Sequence, residues 1–234
     1  MALMPLCAQA SPLVIAATDW APYTDQRLKN NGFFAEICQA ALAKSGYESR
    51  IEFMPWKRAV ELTKSGKKEA LLGASYTQER TQYFAYPKFY WENPILFFAQ
   101  KGHTPSYNDV KELCPAKLGM FTGSFYEKRF KEYGCFNIET VAKTELNIKK
   151  LAAGRIQLVL DSKDSVNFSL NNETSTYKDK IISLSPPLEI DKIYLVISKK
   201  LPDYEKIRDA FDAGMDALKA EGSYDKILVK HGMK

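Results

Sequence analysis

Residues 13–74 read LVIAATDWAPYTDQRLKNNGFFAEICQAALAKSGYESRIEFMPWKRAVELTKSGKKEALLGA. Leu13 to Ala17 is a short apolar run that ends at Thr18-Asp19, the length and composition of a buried strand rather than a helix. From Gly32 to Lys44 the apolar residues Phe33, Phe34, Ile37, Ala41 and Leu42 fall on one helical face, and Ser45-Gly46 supplies the stop. Ile51-Glu52-Phe53 is a second strand. Pro55 then opens a helix through Leu62, with Gly66 beyond its end, and Ala70 to Ala74 is a third strand. Strand and helix therefore alternate, which predicts an α/β fold built on mainly parallel sheet.

The alternation runs on to the C-terminus. Pro94 to Gln100 is an apolar strand closed by Lys101-Gly102-His103, and a second α/β set follows it. Lys117 to Phe121 is a strand, Thr122-Gly123-Ser124 turns into a helix reaching Tyr133, and Thr144 stands at the N-cap of a helix ending at Gly154. Ile156 to Leu160, Ile181 to Leu184 and Ile193 to Ser198 are further strands. A last helix from Tyr204 to Leu218 carries Ile207, Phe211, Met215 and Leu218 at helical spacing. No low-complexity linker divides the two sets, so strand-like crossings are expected to join them, a connection suited to hinge bending.

Composition narrows the function classes. The chain has 234 residues, 45% hydrophobic and 26% charged, enough to bury a core without metal or a dense disulfide framework. Its net charge of +5 comes from lysines and arginines scattered among acids, with none of the clustering that nucleic-acid binding leaves. No apolar run approaches membrane-spanning length. Residues 1–10, MALMPLCAQA, end in a small-x-small pattern and are expected to be a signal-peptide remnant cleaved near Ala10, or a disordered start. Cys38 reads as a buried small hydrophobe. Cys114 and Cys135 flank one strand-helix unit and in an oxidising compartment form the natural disulfide pair, two free thiols being the alternative. No Cys-x-x-Cys occurs and there are only two histidines, so no metal site is expected.

Catalytic signatures are absent: no Walker loop, no Gly-x-Gly-x-x-Gly, no His-Glu-x-x-His and no Gly-x-Ser-x-Gly. Binding signals are stronger. Arg80 follows the third strand, at the strand end where open α/β sheets take ligands, and a guanidinium holds a carboxylate through paired hydrogen bonds. It could equally sit in a surface ion pair with Glu79. Ser75 is a neighbouring donor. Ser124, with Glu127 three residues on, forms a capping box and also opens a helix N-terminus that favours anions. Trp20 and Trp56, both just after strands, would offer flat walls or simply pack. Asp161 would meet a ligand ammonium or cap the helix starting near Ser162.

The ordered series Trp20-Ala21-Pro22-Tyr23, Gly32-Phe33, Ala74-Ser75-Tyr76-Thr77-Gln78-Glu79-Arg80, Phe84-Ala85-Tyr86-Pro87, Gly123-Ser124-Phe125-Tyr126-Glu127 and Gly154-Arg155-Ile156 resembles the family 3 extracellular solute-binding proteins. These are the polar amino-acid receptors of ABC transporters. The resemblance implies two Rossmann-like lobes of the type II periplasmic-binding kind, joined by two hinge strands, with the ligand cleft between them. The first lobe would take residues 11–99 plus 190–234, and the inserted second lobe residues 100–189. It implies that Arg80 grips the ligand carboxylate, with Ser75 and Ser124 near it and Trp20 packed on the ligand; Thr77, Tyr23 and Trp56 are further expected members of the site. Two departures stand out. The family's ammonium-binding Asp would fall at Ser162, leaving Asp161 one residue early, and Phe125 replaces a small hydroxyl residue. The basic Pro55-Trp56-Lys57-Arg58 admits a ligand with an aromatic or extended anionic part. The expected protein is a periplasmic monomer, not an enzyme, without cofactor, that hands an amino acid or related carboxylate to a membrane permease. The rivals are an enzyme like cyclohexadienyl dehydratase on the same fold and a ligand-sensing module of a signalling receptor.

Overall fold

The computed structural model describes residues 11–103 and 105–234. The segment expected to be a signal-peptide remnant, residues 1–10, lies outside the described residues. The first half runs β1 (Leu13–Ala17), α1 (Phe33–Lys44), β2 (Ser49–Phe53), α2 (Trp56–Lys64), β3 (Ala70–Ser75), β4 (Phe84–Ala85) and β5 (Trp91–Gln100). The second runs β6 (Lys117–Phe121), α3 (Phe125–Tyr133), β7 (Asn137–Val141), α4 (Thr144–Ala152), β8 (Leu158–Ser162), α5 (Lys163–Asn171) and β9 (Ile181–Ser183). β10 (Glu189–Ser198) then returns, followed by α6 (Tyr204–Ala220) and α7 (Ser223–Lys230).

The strands lie in the order β2-β1-β3-β10-β5-β8-β6-β7, with β4 on β10 and β9 on β5. β2, β1 and β3 are mutually parallel, as are β7, β6 and β8, while β5 and β10 run antiparallel to their neighbours. These two long strands join the lobes. Residues Trp91 to Ile95 of β5 pair with Glu189 to Ile193 of β10, and beyond that stretch the strands part company. β10 continues along β3, whereas β5 continues along β8 and β9. Ile95, Phe97 and Ala99 accordingly pack in the core beneath α3, and Leu96 and Phe98 in the core beneath α4 and α5.

Each lobe is a sheet covered on both faces. In the first, α1, α6 and α7 close one side over Ile15, Leu72 and Leu195, and α2 closes the other over Ala16, Leu71 and Val196. Strands buried on both faces are why the sequence shows continuous apolar runs. α6 crosses α1 so closely that a β-carbon on Gly214 would lie 1.9 Å from the Ala41 carbonyl oxygen, so only glycine fits there. In the second lobe a disulfide joins Cys114 to Cys135, the segments that lead into the neighbouring strands β6 and β7. Cys38 is buried and free, as its place on the apolar face of α1 suggested.

β5, β10 and α4 differ from their sequence reading. β5 begins at Trp91 rather than Pro94, and β10 at Glu189 rather than Ile193, because the polar stretch of each finds its partner in the other. The N-cap of α4 is Lys143, not Thr144, whose hydroxyl donates instead to Asp161.

Candidate functional site

β3 delivers Ser75 to the mouth of the cleft, and the turn after it brings Arg80 back. Thr77 fixes that turn, its hydroxyl accepting the Arg80 amide at 3.1 Å. Arg80 Nη1 donates to the Ser75 carbonyl at 3.0 Å, and Tyr86 donates its hydroxyl to the same oxygen at 3.0 Å. The guanidinium lies 5.7 Å from the centre of the Trp56 ring. Burial pulls its pKa below the usual arginine value. Among the described residues no carboxylate oxygen comes within 4.0 Å of it, so the surface ion pair with Glu79 does not form. A desolvated cation without an anion is costly unless something else supplies one.

Across the cleft, Ser124 is the N-cap of α3, yet its hydroxyl makes no capping bond and is buried without a partner. The expected capping box does not form: Glu127 reaches past Ser124 to accept from the Gly123 amide at 3.0 Å and pairs with Lys131 at 2.6 Å. Gly123, at φ 78°, turns the chain so tightly that an added β-carbon would face Lys57 and Trp56 of the first lobe. Asp161, at the end of β8, accepts from Thr144 Oγ1 and from the Ser162 amide, both at 2.7 Å. Burial outweighs those bonds and raises its pKa from 3.8 to about 6.

A cleft with a cavity volume of about 100 Å³ is bounded by Arg80, Ser75, Trp20 and Trp56 from the first lobe and by Ser124, Phe125, Asp161 and Ser162 from the second. A single water needs roughly 10–15 Å³ on that measure, so the space suits a small organic solute. Ile95, Phe121 and Leu160 make the remaining wall mostly apolar. Trp20 lies over Gly73, which a β-carbon there would touch at 3.5 Å. Lys57 and Arg58 are exposed and leave the lining to Trp56.

Two residues singled out from the sequence stand outside the lining. Thr77 acts on Arg80 through the backbone. Tyr23 is fully buried, with its hydroxyl engaged by Asn93 at 2.9 Å, Ser162 at 2.5 Å and Asp164 at 3.0 Å. Ser75 lines the cleft, but its hydroxyl donates to Asp191 Oδ2 at 2.6 Å. Asp191 itself escaped the sequence reading. It lies on the polar first half of β10, also accepts from the Lys192 amide, and is raised by burial to about 6.

The carboxylates that would serve a catalytic rival are mostly occupied elsewhere. Asp164 accepts from Tyr23 and from Trp91 Nε1, and Glu36 is held by Lys230 and His231 away from the cleft. Among the described residues no group of three His, Cys, Asp or Glu side chains is placed to hold a metal, and no helix is long and apolar enough to cross a membrane.

Several solved structures share this fold. An amino acid ABC transporter substrate-binding protein, AbpA, of Streptococcus pneumoniae, bound to L-arginine, superposes with a TM-score of 0.78 at 22% identity, covering 94% of each chain. The arginine-, lysine-, histidine-binding protein ArtJ of Geobacillus stearothermophilus gives 0.75 at 18% identity, over 95% of this chain and 96% of that one. The GluR0 ligand-binding core of Nostoc punctiforme, in complex with L-glutamate, gives 0.80 at 18% identity, over 95% and 100%. None of the curated proteins matches the chain. The model of the bacterial extracellular solute-binding proteins, family 3, matches residues 13–234, the whole of both lobes, and the chain belongs to that family.

Proposed function

We propose that this solute-binding protein captures an amino acid, or a related small carboxylate, between its lobes and presents it to the permease of an ABC transporter. Arg80 carries the reading. It is a half-buried guanidinium, desolvated enough to lower its pKa, facing a largely apolar cleft, with no carboxylate within 4.0 Å among the described residues. A ligand carboxylate would complete it through two charge-assisted hydrogen bonds, strengthened as the lobes exclude water. The unpartnered Ser124 hydroxyl at the N-terminus of α3 offers a further donor from the opposite wall. Trp20 and Trp56 supply the flat sides. The similar proteins of known structure hold L-arginine or L-glutamate, both α-amino acids.

The lobe boundaries belong inside the crossing strands, near Asn93 to Ile95 and Glu189 to Ile193, where pairing passes from one lobe to the other. Export to the periplasm, with cleavage near Ala10, and action as a monomer complete the proposal. The direct test is calorimetric titration of ligand-stripped protein with amino acids and small carboxylates, for the wild type and Arg80→Ala. A ligand that binds the wild type should lose at least a hundredfold in affinity in the variant, the cost of leaving a charge-assisted pair unmade. Equal affinity would remove Arg80 from the site.

A further inference from the structure

The lining of the cleft holds one cation, Arg80, and two acids, Asp161 and Asp191; every other lining residue is uncharged. None of the three has an oppositely charged partner within 4.0 Å among the described residues. The acids approach from different elements. Asp161 ends β8 in the second lobe and Asp191 sits on the crossing strand β10, one hydrogen bond from Ser75. Of the charges near Asp191, Arg80 favours its ionised form from a distance but makes no ion pair with it. Glu189 is taken by Tyr126 and Arg129, and Lys192 is exposed, turned to the Tyr90 ring at 4.2 Å. With all three ionised the empty cleft carries a charge of −1, set among tryptophan, phenylalanine, leucine and isoleucine walls that screen it poorly.

We infer that Asp191 is a cation-binding residue of the cleft, and that the solute is an amino acid with a cationic side chain. The inference rests on the reading of Arg80 as the carboxylate grip. Such a ligand carries one carboxylate and two cationic centres, which match Arg80, Asp161 and Asp191 one for one. A neutral amino acid leaves one buried acid uncompensated, an acidic one adds a third, and an amine without a carboxylate leaves Arg80 unpaired. Asp191 lies close to the carboxylate end, since Ser75 bonds it through the hydroxyl and Arg80 through the carbonyl. Carboxylate and ammonium are equally close in an α-amino acid. Trp20 and Trp56 add a cation–π surface for the side chain.

The test compares partners of nearly equal shape and unequal charge. Ligand-stripped protein is titrated calorimetrically with L-arginine against L-citrulline, and with L-lysine against Nε-acetyl-L-lysine, then the series is repeated on Asp191→Asn and on Asp161→Asn. In the wild type at least one cationic member should bind tenfold or more tightly than its neutral counterpart. In Asp191→Asn cationic and neutral members should weaken together, by tenfold or more, because Asp191 meets the α-ammonium that all of them carry; in Asp161→Asn the cationic preference should shrink below threefold. Neutral partners binding as tightly as cationic ones in the wild type would overturn the inference; so would unchanged affinities in Asp191→Asn or an undiminished preference in Asp161→Asn. If one variant does not fold by circular dichroism, the wild-type pairs and the remaining variant decide. Binding confined to neutral amino acids, and lost in Arg80→Ala, overturns this inference and leaves the carboxylate reading standing. Failure of every amino acid and small carboxylate to bind overturns both.

Discussion

Asp161 shows how a single side chain sets the pH behaviour of the cleft. Two donors, Thr144 and the Ser162 amide, favour its ionised form, while burial and the nearby Glu145 oppose it, and burial prevails. A carboxyl whose pKa in the fold is about 6, against 3.8 when unfolded, takes up its proton first in the fold. Its ionisation therefore weighs against the empty protein above pH 6, and that burden is lifted as pH falls from about 6 toward 4. The ceiling is about 3 kcal/mol. Asp191 acts in the same sense, whereas Asp25 and Glu36, held low by Arg27 and Lys230, act in the opposite one. The informative quantity is thus the difference between wild type and Asp161→Asn in melting temperature, followed from pH 7.5 to 4.5 without ligand. The variant should gain most at the upper end, and the two curves should converge toward pH 4.5. Parallel curves would mean that Asp161 is solvated in the working protein.

At the scale of elements, the Cys114–Cys135 bond ties the entries of two neighbouring parallel strands, β6 and β7. It closes a loop with a sequence separation of 21, for which chain entropy gives about 3 kcal/mol. Cys114→Ser with Cys135→Ser should lower the denaturation free energy by about that amount; a loss under ~0.5 kcal/mol would show that the denatured chain is not restrained by the bond. The elements flanking the cleft differ in how readily the sequence betrays them. β1, β3 and α1 are apolar runs or apolar faces bounded by clear stops, so their strand ends, and with them Trp20, Ser75 and Arg80, could be located. The opening half of β10 is Glu189-Ile190-Asp191-Lys192, which has no apolar run. It is a strand only because β5 pairs with it, and that pairing is a property of the tertiary fold. Asp191 was hidden for this reason. Ser124 and Thr144 were legible as residues near helix starts but not in their tasks, because local spacing cannot reveal that Glu127 prefers Gly123 or that Thr144 turns to Asp161.

For the molecule as a whole, the lobes meet through more than the cleft. Tyr23 of the first lobe bonds Ser162 and Asp164 of the second, Trp91 reaches Asp164 at 3.4 Å, and Arg27 stands 3.8 Å from Glu173. These contacts hold the two halves together without a ligand, and a ligand shifts the balance between open and closed forms only by its preference for one of them. Tyr23→Phe removes the buried hydroxyl and should favour the open form. The expected result is a larger radius of gyration by solution scattering in the empty protein, with a three- to tenfold weaker ligand affinity. An unchanged radius and affinity would reduce Tyr23 to a packing residue.

The route of the chain has a consequence for how such proteins diversify. Ile95 and Glu189 are direct partners in the pairing of β5 with β10, so the second lobe enters and leaves the molecule by one doorway. A segment with a single doorway can be exchanged between relatives, by one crossover on each side of it, without disturbing the pairing of the rest of the chain. Arg80, Trp20 and Trp56 are then inherited apart from Ser124 and Asp161, and one wall of the proposed recognition surface can be replaced while the other is kept.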